Sequence, residues 1–309
     1  MVSGFITIRV TLCLLFGLMA NYLHGTEPDT VYIHKHLTAL TKTENPRNYL
    51  HENQLNSTAE YIRSVFLMYS DSVKFQPYKV RGRTYKNVIC SFGTEHDKRL
   101  IVGAHYDVCE DQEGADDNAS GIVGLLELAR MLQDQELNYR IDLVAYTLEE
   151  PPFFKSENMG SFVHAKYLVD QEIEVMGMVC LEMIGFFKDE KKTQDYPLGI
   201  MSLLYGSRGD YIALVKKWGA GNFARRFSRK FKSQDLIRTK SISAPKKIPG
   251  IDFSDHLNYW KFGFSALMIT DTAFYRNKNY HEKSDTLETL DLSRMSQVIE
   301  SVYQVFLSL

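Results

Sequence analysis

Apolar residues recur at spacings of three and four in "DTVYIHKHLTALTK" (29–42) and "STAEYIRSVFLMYS" (57–70), which predicts two helices. The second opens on Ser57 and Thr58, residue types that cap helix N-termini. Alternation then takes over in "SVKFQPYKV" and "TYKNVICSFG", and "RLIVGAHYD" is a short apolar run, so three strands are expected. "ASGIVGLLELARMLQ" returns to the helical period. The order then repeats with "RIDLVAYTL" as strand, "GSFVHAKYLVDQ" as helix, and "VMGMVCLEMIG" and "GIMSLLYG" as strands. "GDYIALVKKWGAGNFARRF" and "FSDHLNYWKFG" read as helices, "FSALMITDT" as the last strand and "LSRMSQVIESVYQVFLSL" as the closing helix.

Strands alternating with helices imply an α/β three-layer sandwich: a mostly parallel central sheet, helices on both faces, and one or two antiparallel hairpin strands near the start. No long linker, repeat or low-complexity tract divides the chain, so one domain is expected over 26–309. Ligands of such sheets bind beyond the carboxyl ends of the strands. His105 and Asp107 end one strand, Glu149 and Glu150 the next, Glu182 a third and Asp271 a fourth.

Composition changes little in this picture. The 309 residues are 44% hydrophobic and 24% charged, and the net charge of -2 gives no reason to expect nucleic acid or an anionic membrane as partner. Residues 1–25 carry a short apolar run after Arg9, which reads as a signal peptide and predicts an exported, periplasmic or secreted protein. An uncleaved leader is the rival reading and the one route to membrane attachment. Cleavage leaves Cys90, Cys109 and Cys180, whose scattered spacing offers neither a disulfide framework nor a zinc clip, so buried free thiols are expected. The basic, aromatic stretch "KKWGAGNFARRFSRKFK" reads as a solvated helix face.

The chemistry lies in the strand ends. His105-Tyr106-Asp107 is a weak signal alone, but "GADDNASG" follows at loop distance. Helix capping accounts for one of Asp116 and Asp117, and leaves the Glu149–Glu150 pair of "YTLEEPPFF" unexplained. Glu182 sits in an apolar strand where an unpaired carboxylate is costly, and "NYHEKSD" supplies His281 with Tyr280 before it. Asp117, Glu150 and Glu182 bring three negative charges, and two divalent ions would balance them with room for one hydroxide. Imidazole with carboxylate suits zinc best, with cobalt or manganese as substitutes.

"GAHYD", "GADDNASG", "EEPPFF", "LEMIG", "FSDH" and "NYHEKSD" occur in an order that resembles the co-catalytic zinc exopeptidases of the secreted leucine aminopeptidase and glutamate carboxypeptidase type, over about residues 36–306. The resemblance implies the zinc exopeptidase fold, two zinc ions and peptide substrates. It implies that Asp117 bridges the ions, with His105 and Glu182 completing the first site and Glu150 and His281 the second. Glu149 matches the family's general base, Tyr280 its carbonyl-polarising hydroxyl and Asp107 the partner of the His105 ring. A cis peptide between Asp117 and Asn118 is implied as well. Many members carry aspartate where this chain has Glu182.

Aminopeptidase action is the expectation, while Arg276 could serve a carboxypeptidase as the cation for a terminal carboxylate or, as the blander reading, tie its loop to a carboxylate. Glutaminyl cyclases, which use one zinc, are the alternative; they usually show tryptophan before the last histidine and a disrupted Asp-Asn turn, where this chain has Tyr280 and "DDNASG". A binding domain without chemistry is the third reading, although all five ligand positions and Glu149 are filled. Asp255 and His256 are expected to anchor their loop or line the pocket.

Overall fold

The computed structural model describes residues 27–309; the expected leader at 1–25 lies outside the described residues. Eight strands form one sheet: β1 (Val73–Val80), β2 (Arg83–Phe92), β3 (Arg99–His105), β4 (Arg140–Tyr146), β5 (Val175–Leu181), β6 (Ile212–Lys217), β7 (Thr239–Ala244) and β8 (Ala266–Thr270). Their spatial order is β1-β2-β4-β3-β5-β8-β6-β7. The central run β4-β3-β5-β8 is parallel. These strands are buried on both faces, which is why they read as continuous apolar runs instead of alternating ones. The expected hairpin β1-β2 joins antiparallel to β4. The antiparallel pairing of β6 with β8 was not foreseen from the pattern.

The helices are α1 (Thr30–Thr41), α2 (Glu52–Phe66), α3 (Gly121–Leu132), α4 (Gly160–Asp170), α5 (Met201–Tyr205), α6 (Gly221–Gln234), α7 (His256–Lys261) and α8 (Leu292–Ser308). Alternate strand residues feed two cores. Cys90, Val102 and Leu143 face one side, where Ile33, Ile62, Leu125, Phe227 and Val298 of α1, α2, α3, α6 and α8 meet them. Ile89, Ile101 and Val144 face the other, against Leu168 of α4 and Tyr259 and Trp260 of α7. The two layers of helices around the sheet are the expected sandwich. Polar groups inside the second core are paired: the Tyr259 hydroxyl lies 2.6 Å from both the Tyr146 hydroxyl and His164 Nδ1.

Three local expectations are corrected and one element was missed. α2 begins at Glu52, one turn and more before Ser57, and the Thr58 hydroxyl donates to the Gln54 carbonyl at 3.0 Å in mid-helix. Residues 199–206 contain the short helix α5 in place of a strand, with Leu203 and Leu204 83% and 75% exposed, so no sheet position was open for their burial. The stretch 209–227 divides into buried β6 and α6, separated by Gly219 and Gly221 at φ +72° and +91°. A short apolar run does not distinguish strand from helix, and these glycines mark the break. β7, largely polar at the sheet edge, gave no signal.

In α6, Phe223, Phe227 and Phe231 point inward while Arg225, Arg226, Arg229 and Lys232 face solvent, as read from the sequence. Arg226 and Lys230 donate to the Leu309 and Ser308 carbonyls, the placement that complements a helix C-terminus at α8. Cys90, Cys109 and Cys180 are free and buried, as expected.

β5 approaches α6 closely at Gly177, where an added Cβ would stand 2.0 Å from the Phe223 ring. Gly177→Ala is expected to destabilise the fold by about 1–3 kcal/mol, read as a lower urea midpoint. Gly199→Ala, where nothing lies within 4 Å, is expected to shift stability by no more than about 0.5 kcal/mol.

Candidate metal centre

Beyond His105 the chain leaves β3 and is pinned almost at once, the Val108 N–H donating to the Arg47 carbonyl at 3.1 Å. Arg47 is 1% exposed and its guanidinium donates to the carbonyls of Leu40, Glu113 and Gly114. It therefore fixes the approach to a wide helical turn, Ala115–Ser120, which enters α3. The peptide between Asp117 and Asn118 is cis. Gly114 begins this turn at φ +58°, where an added Cβ would stand 2.3 Å from Val108. The Asp285 carboxylate accepts the N–H groups of Asp116 and Asp117, each at 3.0 Å. Asp116 caps no helix; it accepts from the Gly185 N–H at 3.0 Å and from Asn277 Nδ2 at 2.8 Å.

This framework presents Asp117 between two histidines. Its Oδ1 is 3.4 Å from His105 Nε2, and its Oδ2 is 3.3 Å from His281 Nε2. Glu182 Oε2 lies 3.4 Å from the same nitrogen of His105, and Glu150 Oε2 lies 3.2 Å from that of His281. His105, Asp117, Glu150 and Glu182 are all buried, and His281 is partly exposed. The five residues named from the sequence thus come together as two imidazole–carboxylate pairs sharing one aspartate.

Donor chemistry argues that a cation belongs here. His105 Nδ1 lies 3.1 Å from the Asp107 carbonyl, which only accepts, so Nδ1 carries a proton and Nε2 is the ring atom turned to the two carboxylates. Asp117 Oδ2, Glu150 Oε1 and His281 Nε2 have no hydrogen-bond partner. Buried polar atoms without partners are costly, and a divalent ion among them would satisfy all at once. The set of two imidazoles and three carboxylates fits a metal of the zinc type. His105, Asp117 and Glu182 bring donor atoms within 4.8 Å of one another, and so do Cys109, Glu150 and His281.

Protons stand in for that charge. Burial, together with Glu150, Glu182 and Asp255, drives Glu149 well above the usual carboxylate range against the pull of His105. Burial and Asp117 push Glu150 up to about 7, and burial raises Glu182. Both histidines are held above their ordinary value because the carboxylates outweigh burial. Asp117 stays low, since the two rings overcome its burial.

Other residues divide into supports and walls. The Asp107 carboxylate lies 3.7 Å from His105 Nδ1 and accepts the N–H groups of Glu149 and Glu150, both at 3.2 Å, so it fixes the loop that carries the glutamate pair. The Tyr280 ring stacks on His281 at 3.8 Å, and burial with the charges of Asp117 and Glu150 keeps its phenol protonated. Asp271 turns away from the cluster and accepts from the N–H groups of Phe186 and Ala273 at 2.9 Å. His256 bonds the Ile251 carbonyl at 2.8 Å, anchoring its loop. Asp255 is fully buried and is not among the residues lining the cleft over the cluster, and burial pushes it up to about 7. Arg276 ties loops together through Gln194 Oε1 at 2.8 Å and the Phe186 carbonyl at 3.1 Å, where a carboxylate partner was expected.

The profile of Peptidase family M28 matches residues 87–306. The chain belongs to this family. Among M28 relatives and neighbours, the uncharacterized protein YfbL of Escherichia coli K12 is 44% identical over 278 residues, covering 87% of this chain and 85% of YfbL. A protein of Arthroderma otae described as a "probable leucine aminopeptidase" is 25% identical over 278 residues, covering 84% of this chain and 67% of its own. LapB from Legionella pneumophila shares the fold with a TM-score of 0.71 at 22% identity, covering 91% of this chain and 72% of LapB. Glutaminyl cyclase from Bacteroides thetaiotaomicron does so with 0.68 at 17% identity, covering 91% of this chain and 98% of the cyclase.

In this M28 chain, Asn118, Ser254 and the backbone-holding role of Asp285 escaped the sequence reading. Ser254 Oγ donates to Glu182 Oε2 at 2.6 Å and Asn118 Nδ2 reaches the same oxygen at 3.3 Å. All three stand inside the quoted motifs "FSDH", "GADDNASG" and "NYHEKSD", so membership of a motif was the available signal. Asp285→Ala leaves two buried N–H groups unpaired. A loss of about 1–3 kcal/mol for each is expected, measured by urea unfolding, together with weaker retention of metal in dialysis.

Proposed function

We propose that this M28 chain is a metal-dependent aminopeptidase that removes apolar residues from the amino ends of peptides. The observation that carries the reading is Asp117, which gives one oxygen to each imidazole–carboxylate pair, with Glu149 lining the same cleft. In this reading His105, Asp117 and Glu182 hold one ion and Asp117, Glu150 and His281 the other. Two zinc ions, with cobalt or manganese as substitutes, would supply Lewis-acid polarisation of the scissile carbonyl and of the attacking water. Glu149 takes the proton of that water and returns it to the leaving amine, work suited to a carboxylate whose proton affinity burial has raised. The protonated phenol of Tyr280 donates to the developing oxyanion. Asp107 positions the backbone of the glutamate pair.

Specificity follows from the walls. The cleft over the cluster, about 200 Å³, is lined by Asp117, Glu149, Glu150, Glu182, Tyr280 and His281 among others. It shares Glu182 and Phe253 with a mostly apolar cavity of about 410 Å³ that includes Leu204, Ile242, Met268 and Phe274. Neither is lined by lysine or arginine among the described residues, which favours a substrate ammonium over a terminal carboxylate. The fold likeness to glutaminyl cyclases raises the second reading, a one-metal cyclisation. The two-sided placement of Asp117 supports the peptidase instead. Export through residues 1–25, with 26–309 as the peptidase domain, goes with this reading. Among the described residues no helix is long and apolar enough to cross a membrane.

Glu149→Gln is expected to keep its fold and metal content while turnover falls by about 100 to 10,000-fold, since positioned acid–base groups contribute on that scale. An unchanged rate removes Glu149 from the mechanism. Dialysis against chelator should abolish hydrolysis and zinc or cobalt should restore it.

Leucine and phenylalanine amides are expected to be cleaved in preference to aspartate or lysine amides, and amino-blocked dipeptides to resist. Cleavage of amino-blocked but not carboxyl-blocked dipeptides reverses the end assignment. Release of pyroglutamate from glutaminyl peptides, with one metal per chain, points to the cyclase.

A further inference from the structure

Cys109 has no part in the function proposed above, yet it stands at the edge of the cluster. The residue is 7% exposed, and its Sγ, a Glu150 oxygen and a His281 nitrogen all lie within 4.8 Å of one another. Donors on opposite sides of one zinc ion would be at most about 4.5 Å apart, given Zn–S near 2.3 Å and Zn–O near 2.2 Å, so this spacing is comparable to that of a shared ion.

Two further observations point the same way. Glu150 is 4% exposed and its Oε1 has no hydrogen-bond partner, and neither has His281 Nε2. The backbone on both sides of Cys109 is also fixed. The Val108 N–H donates to the Arg47 carbonyl at 3.1 Å, and the Glu110 carbonyl accepts from Asn48 Nδ2 at 2.5 Å. The other two thiols are placed differently. Cys90 belongs to the larger core, and Cys180 to the smaller one, where its Sγ lies 3.1 Å from the Ser254 hydroxyl.

We propose that Cys109 is a further donor to the ion held by Glu150 and His281, adding a thiolate to a carboxylate, an imidazole and the shared Asp117. The proposal rests on the metal reading above. It makes the two positions chemically unequal: one surrounded by nitrogen and oxygen alone, the other including sulfur. A thiolate selects for zinc and against manganese and magnesium, so the second position is the more selective. The thiol proton leaves to solvent when the ion enters.

Cobalt(II) reports the difference directly. The full chain, stripped of metal and loaded with Co²⁺, is expected to show visible ligand-field bands together with a near-ultraviolet sulfur-to-cobalt charge-transfer band. Cys109→Ser and Cys109→Ala are expected to lose the charge-transfer band and keep visible bands, with circular dichroism melts confirming that both variants are folded. Cys90→Ser and Cys180→Ser should retain it. In competition with a chelator, Cys109→Ser should weaken one zinc ion by on the order of 10-fold or more. A wild-type protein with visible bands but no charge-transfer band, or a band that survives in Cys109→Ser, overturns the thiolate while leaving the metal reading intact. Elemental analysis finding no cobalt in the wild-type protein overturns both.

Discussion

Everything at the rim of this sheet depends on carboxylates and imidazole lone pairs being held face to face away from water. Glu150, Glu182 and two histidines gather around Asp117, and repulsion among the three acids would spread them unless positive charge lay between them. Protons supply that charge when metal is absent, which is why Glu149, Glu150 and Glu182 are pushed up and the imidazoles hold theirs. Divalent metal would do the same work without spending the donors' lone pairs on protons. Metal affinity and proton affinity are therefore two expressions of one electrostatic arrangement.

Such repulsion requires a frame that does not yield. Much of the frame is itself acidic, but its acids point at backbone N–H groups. Asp285 holds Asp116 and Asp117, Asp116 holds Gly185, Asp271 holds Phe186 and Ala273, and Asp107 holds Glu149 and Glu150. All of these staples except the local Asp271–Ala273 contact join loops that leave different strands, so the parallel order β4-β3-β5-β8 becomes a rigid ledge at its carboxyl ends. Arg47 binds only main-chain carbonyls, and its charge also offsets Asp285, Asp117 and Asp107.

The central strands, the first hairpin and the five clustered donors were legible because each rests on a local signal: a fully apolar run, an alternation, or an ionisable residue at a strand end. The segment from 199 to 244, apart from the two faces of α6, was not. Its short elements are bounded by glycines, α5 turns Leu203 and Leu204 to solvent, and β7 is polar at an edge, so burial pattern and hydropathy part company there. Asp271 follows the end of β8 as read, but the direction of its side chain was not legible. Strand-end position predicted proximity to the rim but could not tell a side chain aimed into the cleft from one aimed back at Phe186 and Ala273.

That illegible segment is also where a family with one shared metal frame can diversify. The donors and their staples come from β3, β4, β5, β8 and their loops, whereas much of the apolar cavity beside them comes from residues 194–218 and 242–253. Changes in those residues would reshape the cavity without touching the atoms that hold Asp117. Glu182 belongs to both regions, lining the cavity while its Oε2 accepts from Ser254 and faces His105. An aspartate there would be one methylene shorter and would draw the carboxylate back from the Ser254 hydroxyl. Its length thus couples the shape of the apolar wall to the electrostatics of the ledge.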